Sequence, residues 1–148
     1  MKKVLLVLFI LLILFGGFVV YIFSSTGFFR TVTPKNEFGV VFQTLDLPGV
    51  EDMAIARADS LLILSVNDRA SRRDGKIGPK GLFLVDLRNT PFEAIPLTDH
   101  LDFPFFPHGL SIFPLDSGKY SLMAINHVDG EHSIEHFLLF EKELYHQK

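Results

Sequence analysis

The sequence predicts an all-β chain of β-propeller type, about two blades long, behind an N-terminal transmembrane helix. Three observations predict it. An uncharged apolar run opens the chain, short apolar runs separated by turn residues fill it beyond position 49, and those runs recur with a drifting period of about 55–59 residues.

The first element is the apolar run. After Met1, Lys2 and Lys3, the stretch from Val4 to Phe23 carries no charge and is interrupted only by Gly16 and Gly17. A cleaved secretory signal has a shorter apolar region, roughly 7–15 residues, and ends in a small-residue cleavage site. Here Ser24, Ser25, Thr26, Gly27, Phe28 and Phe29 follow instead. A helix of about 20 residues spans about 30 Å, the thickness of the hydrocarbon core. Residues 1–25 are therefore expected to be an uncleaved signal anchor, with a protein secreted after signal cleavage as the alternative. Lys2 and Lys3 favour a cytoplasmic N-terminus, which Arg30 and Lys35 on the other flank oppose. On this reading the soluble part lies outside the cytoplasm, in the periplasm or at the cell surface.

Composition excludes several functions. Without residues 1–23 the hydrophobic share falls from 48% to about 42%, normal for a soluble domain. Acidic side chains outnumber basic ones, 17 to 14, and the excess grows once Lys2 and Lys3 are set aside. Such a domain is a poor partner for nucleic acid or an anionic lipid surface. The absence of Cys removes disulfides, thiolate zinc sites and a Cys nucleophile.

Residues 26–48 read as a linker and a first extended segment (Val40, Val41, Phe42, Leu45, Leu47), closed by Pro48-Gly49. Residues 49–148 read as a partial propeller. Its strands are expected at Met53–Ala56, Leu61–Val66, Gly81–Leu87, Phe92–Leu97, Leu110–Phe113, Tyr120–Ile125 and Ile134–Phe140, with no amphipathic helix among them. Turn residues separate the runs, as in Ala58-Asp59-Ser60 and Leu115-Asp116-Ser117-Gly118, and residues 67–80 form a long polar loop.

A shift of about 57 residues places Ala56, Asp59 and Ser60 on Phe113, Asp116 and Ser117. With two further residues in the second turn, Asn67 falls on Asn126, and a shift of about 55 places Leu82–Asp86 on Phe137–Glu141. A single β-sandwich is the alternative architecture. The 57-residue shift also superposes Glu51 on His108 and Asp52 on Gly109, each just before the first strand of its unit. In a propeller the first strand of every blade lines the central channel. Glu51, Asp52 and His108 are therefore expected to converge.

Three stretches carry a family resemblance: Gly49-Val50-Glu51-Asp52-Met53-Ala54-Ile55, Phe106-Pro107-His108-Gly109-Leu110-Ser111-Ile112-Phe113, and Ala124-Ile125-Asn126-His127. With Ser133-Ile134-Glu135-His136-Phe137 and Gly27-Phe28-Phe29-Arg30 they resemble the paraoxonase/arylesterase family of calcium-dependent lactonases, over about residues 27–145. The resemblance implies a six-bladed propeller with two calcium ions in its tunnel. It implies that Glu51 binds a catalytic calcium, that Asp52 and the Leu110 carbonyl bind a structural one, that His108 is the general base activating water, and that His127 is its partner. The substrate class it implies is small carboxylic esters or lactones. Oxygen donors suit calcium, and imidazole titrates near neutrality, as a base requires.

Other residues lack such support. Ser111 lies in Gly-Leu-Ser-Ile-Phe, without the second Gly of a nucleophile elbow. His132 and His136 have the i, i+4 spacing of a helical metal site, but Ser133 replaces the zincin Glu and the segment reads as strand. The cluster Arg69, Arg72, Arg73, Lys76 and Lys80 is interrupted by Asp68 and Asp74 and reads as a solvated loop; the resemblance implies that it corresponds to the mobile loop over the tunnel and shapes substrate entry.

A complete member of the resembled family is much longer, and its later blades supply Asn and Asp-Asn calcium ligands that this sequence does not contain. The expectation is therefore an N-terminal part of an arylesterase/lactonase-type hydrolase, or a subunit needing a complementary propeller chain. The alternative is a catalytically silent, membrane-anchored module for binding or assembly. A gluconolactonase or strictosidine-synthase-like propeller would need other tunnel ligands, and Pro107-His108-Gly109 and Asn126-His127 argue against it.

Overall fold

Twenty-four residues from Lys2 to Ser25 wind into one helix, α1, because nothing in them interrupts an apolar, well-propagating run except the glycine pair. In this computed structural model, which describes residues 2–31, 33, 39 and 42–147, α1 ends in a Schellman motif. Gly27 takes φ +76°, and the N–H groups of Gly27 and Phe28 donate to the carbonyls of Ser24 and Phe23 at 3.2 and 3.0 Å. By length and composition α1 can cross a membrane, and a signal sequence passes the same test. Val40 and Val41, expected to open an extended segment, lie outside the described residues, as does Lys35.

The second compact unit is two four-stranded antiparallel sheets, each a simple meander. The first contains β1 (Val50–Ala56), β2 (Leu61–Asn67), β3 (Lys80–Asp86) and the two-residue β4 (Ile95–Pro96). The second contains β5 (Pro107–Pro114), β6 (Tyr120–Val128), β7 (Glu131–Phe140) and β8 (Glu143–Gln147). All seven expected runs carry strand, although Phe92–Leu97 contracts to β4, and β8 was not expected. Its single buried residue, Leu144, is too weak a pattern to announce a strand. Phe42–Leu47 forms no strand; Gln43 instead exchanges two hydrogen bonds with the Phe92 backbone, at 2.6 and 2.7 Å. The polar loop holds a short helix, α2 (Arg69–Arg73), whose cap Asp68 accepts from the Ser71 N–H at 3.1 Å.

Side-chain alternation decides the packing. In β6, Tyr120, Leu122, Ala124 and Asn126 are buried while Met123 and Ile125 are exposed. In β2 both faces are buried. Ile63, Leu82 and Leu84 of the first sheet share one core with Leu122, Phe137 and Leu139 of the second. Each fully buried large side chain there contributes about 1.5–3 kcal/mol by leaving water. The other face of the first sheet, with Leu64, Val66 and Val85, is covered by Leu45, Leu47 and Phe92. The corresponding face of the second sheet leaves Phe113, Met123, Ile125 and Ile134 exposed.

Polar ties cross between the sheets. Tyr120 Oη donates to Asp59 Oδ2 at 2.6 Å, and Lys142 Nζ lies 2.8 Å from Asp86 Oδ2. The Asp59 carboxylate raises the Tyr120 pKa by accepting a hydrogen bond from its hydroxyl. Arg88 and Lys142 together hold the Asp86 carboxyl well below the usual carboxylate range.

Candidate functional site

The site forms where the first strands of the two sheets begin. Gly49 turns the chain into β1 at φ +81°, and its carbonyl accepts the Asn67 N–H at 2.8 Å. A Cβ on Gly49 would come within 2.6 Å of the Asp68 backbone, so only glycine lets this turn press against the end of β2. The register of β1 on β2 then slips between Val50 and Asp52, and that of β5 on β6 slips between Pro107 and Leu110. The two irregularities occupy the same place in the repeat. Such bulges redirect side chains, and here they fall at Glu51 and at His108-Gly109.

The expected convergence is what the structure shows. Glu51 Oε2 lies 3.2 Å from His108 Nδ1, close in distance but not aligned as a hydrogen bond. Asp52 Oδ2 accepts the Leu110 N–H at 2.9 Å, and the Ser65 hydroxyl donates to the His108 carbonyl. The His127 ring sits 5.3 Å from the His108 ring, centroid to centroid, and the His127 N–H donates to the Phe106 carbonyl at 3.1 Å. Asn126 holds the approach to β5 in place. Its Oδ1 accepts the Phe106 N–H at 2.8 Å and its Nδ2 donates to the Pro104 carbonyl at 3.1 Å.

Two contacts were not expected. Arg69, at the start of α2, places Nε 2.7 Å from Glu51 Oε1. His132, directly opposite His127 on β7, brings Nδ1 to 2.6 Å from His127 Nδ1. The Asp129-Gly130 turn was the legible signal for that pairing, since such dipeptides make two-residue hairpins that set cross-strand register. Both take positive φ, +49° and +90°. His136 points to other company, with Nε2 2.8 Å from the Ser121 hydroxyl, so it and His132 do not act together. Ser111 is exposed on β5.

Desolvation lowers the His127 pKa, and the neighbouring His132, His108 and Arg69 lower it further, against the opposing pull of Glu51. His108 and His127 share a cavity of about 540 Å³ with Asn67, Arg69, Arg72, Phe106 and Asp129. That volume suits a small molecule. Phe106 forms one wall, with the Arg72 guanidinium 4.5 Å above its ring and Lys80 Nζ at 4.8 Å.

The residues expected to hold calcium do not by themselves make a calcium centre. Calcium takes six to eight oxygen ligands. Here Asp52 gives Oδ1 to the Met53 N–H at 2.8 Å and Oδ2 to Leu110, while Glu51 is ion-paired with Arg69. Among the described residues no three acidic or imidazole side chains are grouped to hold a metal. Comparison with protein-family models finds no match to this chain, and comparison with curated proteins finds none either.

Proposed function

We propose that residues 49–148 are the site-bearing N-terminal part of a propeller hydrolase of arylesterase/lactonase type, acting on small carboxylic esters or lactones outside the cytoplasm and held to the membrane by α1. The observation that carries this reading is that His108 and His127, from two strands, line one cavity while Glu51, from a third, stands against His108. The meander order of each sheet and the shared bulge position support the propeller, since a blade is such a meander.

On this reading His108 takes a proton from a water molecule in the cavity, and the resulting hydroxide forms a bond to the ester carbonyl carbon. The carbon–oxygen bond to the alcohol then breaks, and His108 returns the proton to the departing oxygen. Glu51, beside Nδ1, favours the transient imidazolium. The lowered pKa of His127, held by His132, favours its uncharged form and so keeps a second positive charge away from the base. No step runs through calcium. An ion belongs to this reading only with oxygen ligands from a complementary chain.

The test is hydrolysis of phenyl acetate and of δ-valerolactone by the full chain. The base should contribute about 10²–10⁴-fold, so His108→Gln should lower turnover at least about a hundredfold without unfolding the protein. Equal turnover in that variant, or none above buffer in the wild type, rejects the reading.

One observation favours a second reading, a silent binding or assembly module. Both acidic residues of the site are engaged by protein donors, as structural carboxylates are, and the uncovered face of the second sheet offers a surface for a partner chain. This module hydrolyses neither substrate.

A further inference from the structure

Asn67 and Asn126 occupy the same place in the repeat, Asn67 ending β2 and Asn126 standing two residues before the end of β6. Both side chains are buried, each only 3% exposed. Their amides differ in one respect. Asn126 spends both ends of its amide on the chain that leads into β5, as described above. Asn67 lines the cavity, and its Nδ2 is buried without a hydrogen-bond partner. A buried donor left unpaired is costly and uncommon, and such a group calls for a function.

Its surroundings identify the acceptor. Arg72, exposed on α2, lines the same cavity and has no carboxylate within 4 Å among the described residues, whereas Arg69 is already balanced by Glu51. Asp129 also lines the cavity, and its carboxylate opposes a dianion. One unpaired amide donor and one unbalanced guanidinium match a monoanion with two oxygens, and the Phe106 wall accommodates an apolar tail beside them.

We infer that this cavity binds a small monocarboxylate, one oxygen accepting from Asn67 Nδ2 and the charge balanced by Arg72. The inference rests on the proposed hydrolase only for the identification of that carboxylate as the acid product of ester or lactone cleavage; the binding site stands on Asn67 and Arg72 alone.

The experiment follows 4-fluorophenylacetate by ¹⁹F NMR as the full-length protein in detergent micelles is added, with 4-fluorophenylacetamide as the neutral probe. The acid should bind at least about tenfold more tightly than the amide, as loss of a charge-assisted hydrogen bond requires. Asn67→Leu and Arg72→Gln should each weaken the acid about tenfold, while Arg73→Gln, one residue away, should not. Arg72 is exposed, so its variant reports even where Asn67→Leu fails to fold. Equal affinity for acid and amide, an unchanged affinity in Arg72→Gln, or no binding of the acid overturns the inference. Binding without turnover of phenyl acetate leaves it standing and removes the hydrolase. Turnover without carboxylate binding does the reverse.

Discussion

Asp52 Oδ2 accepts the Leu110 N–H at 2.9 Å and thereby ties the first strand of one sheet to the first strand of the other. The same carboxylate caps the Met53 N–H through Oδ1. Both bonds have an ionised acceptor, and such bonds are the stronger kind. Replacing Asp52 with Ala leaves two N–H groups unserved and should destabilise the domain by about 2 kcal/mol. Asp52→Asn, which keeps one acceptor oxygen, should cost about half of that. Urea midpoints measure both. A loss below about 0.5 kcal/mol in Asp52→Ala, the range of ordinary surface substitutions, contradicts a structural role for this carboxylate.

That engagement also predicts how the chain responds to calcium. An ion whose Kd is about one-hundredth of its applied concentration would stabilise the fold by about 2.7 kcal/mol. Because Asp52 and Glu51 already serve protein donors, millimolar calcium added to the EDTA-treated chain should leave its Tm within about 1 °C. A rise of about 4 °C or more, the shift that even 1 kcal/mol gives a domain of this size, would show that the donor set rearranges around the ion.

The acid limb of stability is expected to depend on Asp86. Its side chain is 7% exposed and meets Arg88 and Lys142, each at 2.8 Å, and Lys142 belongs to the turn between β7 and β8. A carboxyl whose folded pKa is depressed stabilises the fold at every pH above its unfolded value, about 3.9, and that stabilisation is lost as pH falls toward the folded value. Denaturation midpoints should therefore drop as pH falls below about 4. Asp86→Asn should be less stable than wild type at pH 7 and should lose less across the acid range. Profiles that run parallel would remove Asp86 from acid sensitivity. Glu135 contributes with the same sign. Its burial alone would raise its pKa, but the Ser133 hydroxyl and His146 bond the carboxylate and bring it below its ordinary value.

Much of the fold was legible because strand alternation and turn chemistry are local signals. Tyr120, Leu122 and Ala124 alternate with exposed neighbours, so β6 announces itself. What escaped detection has one of two physical causes. β8 and α2 are short and mostly polar, so they carry little periodicity. Arg69 reaches the site through a tertiary contact with Glu51, which no run of neighbouring residues encodes. The convergence of Glu51 with His108 was legible for the opposite reason. The repeat placed both at one position of two equivalent units, and a bulge falls at that position in each sheet. The roles of His108 and His127 rest on resemblance, and proximity gives them only opportunity.

The absence of Cys from the chain makes the convergence directly measurable. A Cβ built on Gly109 lies 3.9 Å from Asp52 Oδ2 and 3.4 Å from Ile125 Cδ1, so a Cys fits there with ordinary contacts. In the Asp52→Cys/Gly109→Cys double variant, a thiol-to-thiol reagent about as long as a disulfide with one added methylene should close an intramolecular link, seen by peptide mass mapping of monomeric protein. Near-complete linkage in the folded chain, lost in urea, is the predicted result. Two free thiols in the folded monomer would contradict the meeting of β1 and β5 on which the candidate site depends.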